Sequence, residues 1–229
     1  FHEKIPEMHV IAAGSLLEFA IEDVGLPVGR VASLHMYPMS FLEFLVARGE
    51  QPLAEHLIDA SSSLSISDPV HERLLRLLGE YLVLGGLPEV IGTWIKHEDL
   101  NRCGEVLDMI VTAYRQDFGK YAKRHQIKYV DLVFNEVPSM TGRKFKYNAL
   151  PGAWKARELS PALDLLCKAS VVHKVTHSSG NAIPLKAESA PNRFKAFFLD
   201  VGLAQRIMGA DVKPWLLNPT VAIGNAGAV

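Results

Sequence analysis

The hydrophobic positions of the chain follow two rhythms, a dense β-branched one at the start and a helical one over most of the remaining length. Met8–Ala13 is a short apolar run bounded by Pro6 and Gly14. Such a run predicts a strand buried on both faces, as in a parallel sheet. Leu16–Ile21 predicts a short helix, broken by Gly25-Leu26-Pro27, and Arg30–Tyr37 predicts a second strand closed by Pro38. From there the spacing changes to three and four. Ser40 is an N-cap with Glu43 at the capping-box position, and Phe41, Phe44 and Leu45 share one face. Asp59–Ser67 reads as a loop. Asp68-Pro69 opens the next helix, with Val70, Leu74, Leu77 and Leu78 as its buried stripe. Gly85-Gly86-Leu87-Pro88 predicts a sharp turn between helices. The clearest helix is Leu100–Tyr121, where Leu100, Cys103, Leu107, Ile110, Tyr114, Phe118 and Tyr121 line a single face.

Beyond it, Lys128–Val137 predicts a further amphipathic helix, and Ser160 with Pro161 predicts the start of a short one whose stripe is Leu163, Leu166 and Cys167. Val171–Thr176 and Phe194–Leu199 predict two strands joined by a Ser-Ser-Gly-Asn turn and a Pro-containing loop. Helix, helix, short helix and two-stranded ribbon is the layout of a winged helix-turn-helix, spanning about 126–200.

Composition narrows the classes. At 229 residues, 48% hydrophobic and 21% charged, the chain has the apolar content to build a core, which excludes wholesale disorder. Val10–Ala13 and Leu82–Leu84 are among its longest apolar stretches, too short to cross a bilayer, so no membrane partner is expected. Two cysteines, Cys103 and Cys167, make no disulfide framework, and a reducing cytoplasm is the expected setting. His125, Cys167, His173 and His177 match no zinc spacing, so no metal site is expected. Asp200, at the end of an apolar strand, reads as the cap of a following helix rather than as a catalytic acid.

Net charge is −1, yet it divides unevenly. Residues 1–98 hold 6 basic and 14 acidic residues, and residues 99–195 hold 16 basic and 9 acidic. Between Lys120 and Arg157 there are nine Lys or Arg against Asp131 and Glu136. Arg143, Lys144, Lys146, Lys155 and Arg157 flank the short helical elements and form a candidate surface for phosphates. The presumed recognition helix, Pro161–Ala169, offers Asp164 and Lys168 but no Arg, Asn or Gln. Non-specific DNA contact is therefore expected over base readout. The competing reading is an intramolecular scaffold in which the basic unit docks on the acidic one.

Several segments resemble one family in its order along the chain. They include Ala12-Ala13-Gly14-Ser15-Leu16-Leu17-Glu18-Phe19, Pro27-Val28-Gly29-Arg30-Val31, Tyr37-Pro38-Met39-Ser40-Phe41-Leu42-Glu43-Phe44, Gly85-Gly86-Leu87-Pro88-Glu89-Val90, Arg143-Lys144-Phe145-Lys146-Tyr147 and Phe194-Lys195-Ala196-Phe197-Phe198-Leu199-Asp200-Val201-Gly202-Leu203. The family is the prokaryotic AAA-superfamily ATPases that carry a winged-helix domain and a restriction-endonuclease-like region. Its phosphate-binding loop, Gly-x-x-x-x-Gly-Lys-Ser/Thr, does not occur in these residues. The resemblance implies the middle of a longer protein: the last strands of an α/β P-loop-type core over 1–60, a helical linker or lid over 61–125, a winged helix over 126–203 and the start of a nuclease-like region over 204–229. It implies ATP and Mg²⁺ as cofactors of the intact protein, none for these residues alone, self-association, and hydrolysis coupled to conformational change. The alternative is a winged-helix DNA-binding or adaptor module with vestigial turnover. Ser15 stands where the family's γ-phosphate sensor stands, or caps the next helix. Arg30 stands where an arginine finger stands, or pairs with Glu22 or Asp23. A guanidinium suits the finger because it is permanently charged and grips phosphate oxygens bidentately.

Overall fold

The computed structural model describes residues 4–5, 7–14, 30–60, 66–180, 183 and 188–217. Helices dominate. In chain order they are α1 (Phe41–Ala47), α2 (Gln51–Ala60), α3 (Asp68–Leu84), α4 (Pro88–His97), α5 (Leu100–Tyr121), α6 (Ile127–Met140), a 3-10 turn (Tyr147–Ala149), α7 (Ala156–Lys168), α8 (Val201–Met208) and α9 (Lys213–Leu217). Between α7 and α8 lie two antiparallel strands, β1 (Val172–Ser178) and β2 (Ser189–Phe198). Val172 faces Phe198 and Thr176 faces Phe194, with an irregularity between Thr176 and His177.

The local signals explain the helix starts. Ser40 Oγ accepts the Glu43 N–H at 3.3 Å while the Glu43 carboxylate accepts the Ser40 N–H at 2.7 Å, the expected reciprocal box. Gly49, at φ 78°, ends this helix, and a second begins at Gln51. Pro69 sits in the first turn of α3, and the Asp99 carboxylate caps α5 through the Asn101 N–H at 2.8 Å. The predicted face of α5 holds, with Cys103, Leu107 and Phe118 buried.

One hydrophobic core runs from Phe44 to Ala204. Phe134 of α6 is fully buried near its centre, 5.1 Å from Phe118 of α5 and 5.4 Å from Phe198 of β2, ring centre to ring centre. α8 packs on α3, α5 and α6, so the end of the chain's helical part closes over its middle.

Three expectations are corrected. Met8–Ala13 and Arg30–Tyr37 form no strands; Ile11 is 94% and Leu34 93% exposed. A parallel strand needs paired edges and covered faces, and among the described residues neither run has them. Helix α7 begins at Ala156 rather than Pro161, so Pro161 lies inside it. The Glu158 carboxylate takes the Lys155 N–H at 2.8 Å, satisfying a donor at the helix start, and fully buried Leu159 anchors the first turn on the core. The predicted helix Leu16–Ile21 lies outside the described residues.

Candidate nucleic-acid interface

The basic residues gather around α6, α7 and β2. Lys144 is bridged antiparallel to Lys195 of β2, and the Phe145 N–H donates to the Phe194 carbonyl at 2.9 Å. The segment before the 3-10 turn thus adds a short third rung to the ribbon. Phe145 is buried and stacks on Phe194 at 5.3 Å, which fixes the backbone that presents Arg143, Lys144 and Lys146. Lys174 of β1 lays its ammonium 4.4 Å from the Phe194 ring centre on the same ribbon.

A second group forms where α7 starts. Lys155 immediately precedes the helix and Arg157 lies in its first turn. Lys128, in the first turn of α6, places its Nζ 4.8 Å from the Tyr129 ring and 5.3 Å from Trp154. The Tyr129 hydroxyl donates to Glu158 at 3.5 Å, so one carboxylate ties α6 to the start of α7.

All five predicted cations, Arg143, Lys144, Lys146, Lys155 and Arg157, are exposed. Among the described residues none is ion-paired with a carboxylate; the ion pairs join other groups, such as Arg48 with Glu80 and Arg115 with Asp131. Among the described residues no carboxylate of the acidic unit pairs with these five. The corrected start of α7 also changes its outer face. Arg157, Pro161 and Asp164 now follow one another along it, so Arg157 joins Asp164 and Lys168 as a side chain able to meet a base edge.

Sequence reasoning overlooked Lys195, Lys174 and Trp154 as members of this surface. Trp154 was legible as an aromatic beside a lysine in a basic stretch; the strand pairing that brings Lys195 to Lys144 spans fifty residues and was not.

Ser15 lies outside the described residues. Arg30 is exposed, at the start of a segment whose Tyr37 ring meets His173 of β1 at 5.7 Å and stacks on His35 at 6.2 Å. Among the described residues no three His, Cys, Asp or Glu side chains gather as a metal site. No helix among them is long and apolar enough to cross a membrane. Burial raises the pKa of both thiols, Cys103 in the core and Cys167, half-buried, up to about 11, which disfavours the thiolate.

Asp200 is buried and holds a junction of three parts of the chain. Its Oδ2 accepts the Gly86 N–H at 2.6 Å and its Oδ1 the Leu203 N–H at 2.9 Å. Gly86 in turn accepts the Met39 N–H at 2.7 Å, and the Tyr81 hydroxyl donates to the Met39 carbonyl at 2.9 Å. The capping role expected of Asp200 is what its geometry supplies.

No curated protein and no solved structure matches the chain. Residues 75–213, which include the five cations and the Gly86–Asp200 junction, match the family model described as a domain of unknown function (DUF8612), and the chain belongs to that family.

Proposed function

We propose that residues 127–198 act as a winged-helix unit that holds nucleic acid by its phosphates. The observation that carries this reading is the five exposed cations, which pair with no carboxylate among the described residues. Unpaired surface cations around a short helix and ribbon suit a polyanion, since each phosphate neutralised releases condensed counterions. The layout supports it too: α6, the rung at Lys144, the 3-10 turn, α7 and the β1–β2 ribbon follow in winged-helix order. Four of the five cations, Arg143, Lys144, Lys146 and Lys155, lie outside α7, so phosphate contacts dominate and binding depends little on sequence.

Duplex titrations over a range of salt test it. Five or six phosphate contacts give a slope of log affinity against log salt of about −5. Reversing the charge of Arg143, Lys144 and Lys146 together should weaken every duplex alike and flatten the slope. Absence of binding at low salt would remove nucleic acid from the account.

A second reading concerns the longer protein the resemblance implies, an oligomeric AAA-type ATPase in which Arg30 reaches a neighbour's nucleotide. Its support is the resemblance; the Tyr37–His173 ring contact joins the segment after Arg30 to β1, the route by which a change at Arg30 would reach the ribbon. Arg30→Ala should cut turnover of that intact protein by about 10³-fold or more while sparing nucleotide binding. Unchanged turnover sinks the finger role.

A further inference from the structure

Trp154 is the one large apolar side chain exposed between Met109 and Val175 among the described residues, at 36%. Its neighbours are not an apolar patch. Lys128 lies 5.3 Å from its ring, Lys155 follows it in sequence, and Arg157 is two residues further on. The indole is also held in place. Tyr129 meets it edge-on at 5.2 Å, with the ring planes at 88°. Gly152, at φ 102°, packs against it; a Cβ there would sit 2.4 Å from the indole Nε1. The carboxylate of this neighbourhood, Glu158, is engaged by the Lys155 N–H and the Tyr129 hydroxyl.

A fixed, one-third-exposed indole amid cations that pair with no carboxylate among the described residues suits an unpaired nucleotide: the base packs on the exposed part of the ring while the cations take the flanking phosphates. A protein partner would call for a wider apolar surface around the ring. An intact duplex offers no such base, because each is covered by its neighbours except at the ends. We infer that the Trp154 indole, with Lys128, Lys155 and Arg157, forms a stacking site for an unpaired base, so that this surface takes single strands or strand–duplex junctions. The inference rests on the phosphate-binding reading above and adds the class of nucleic acid.

The test compares a labelled oligothymidine strand with a blunt duplex by fluorescence anisotropy on the whole chain. Trp154→Ala should weaken the strand by about 5- to 100-fold and the duplex by less than about twofold, and Trp154→Phe should restore most of the strand affinity. Equal losses on both probes, or no loss on the strand, overturn the stacking site and leave the phosphate reading standing. Absence of binding to either probe at low salt overturns both. Should Trp154→Ala fail to fold, a variant with Trp94→Phe and Trp215→Phe leaves Trp154 as the sole tryptophan. Its emission should be quenched by the strand and not by the duplex; unchanged emission with the strand bound overturns the proposal.

Discussion

Asp200 shows how a single side chain serves two ends of the fold. Burial raises its carboxyl pKa, and the N–H groups of Gly86, Leu203 and Gly202 pull against that rise. The balance lies on the raised side, so the folded state holds its proton more tightly than the unfolded chain does. Stability from this group is then complete below the ordinary carboxyl range and falls as pH rises through the folded pKa. The stability difference between wild type and Asp200→Asn should accordingly shrink from about pH 4 upward and then level off; urea titrations across that range check it. Truncation is harsher. Asp200→Ala leaves the Gly86 and Leu203 N–H groups buried without acceptors and should cost about 3 kcal/mol. The same crowding explains Gly85 and Gly202. A Cβ on Gly85 would lie 2.2 Å from Asp200 Oδ1, and one on Gly202 2.3 Å from the Leu84 carbonyl.

At the scale of elements, α7 carries the sharpest lesson. Ser160-Pro161 is a credible helix start by composition, and the helix nonetheless begins five residues before Pro161. Ser160 Oγ donates to Asp164 Oδ2 at 3.4 Å instead of capping. Tertiary burial of Leu159 and the Glu158 cap outweigh the local preference, at the cost of a proline inside the helix. Pro161 is exposed, so replacing it should restore a backbone hydrogen bond without disturbing the core. Pro161→Ala is expected to stabilise the chain by about 1 kcal/mol, read as a higher denaturation midpoint with an unchanged m-value. A loss of stability would mean that the proline's fixed φ is what α7 depends on.

For the whole molecule, the charge division of the sequence does not divide the packing. α8 touches α3 from the acidic half and α5 and α6 from the basic half. Phe134 joins α5, α6 and β2 in that same core. Phe134→Ala should cost about 4 kcal/mol. Unfolding of the wild type should be one transition, with tryptophan emission and far-UV circular dichroism superimposing. Two separated transitions would mean that the halves fold independently.

Helix starts with local chemistry were legible residue by residue. Ser40 with Glu43, Asp68-Pro69, the single face of Leu100–Tyr121, the turn at Gly85-Gly86 and the cap at Asp200 all depend on groups a few residues apart. The cations of the candidate interface were legible for the same reason: exposed Lys and Arg in a run with few carboxylates need no tertiary knowledge to be noticed. What the sequence could not determine is whatever depends on partners distant in the chain. Met8–Ala13 and Arg30–Tyr37 have the composition of buried strands, and composition cannot supply the neighbouring strands that would pair them. Lys195 reaches Lys144, and Asp200 reaches Gly86, across separations of fifty residues or more. Only tertiary structure decided these contacts, because ring packing and buried hydrogen bonds favour them over every local alternative once the core has closed.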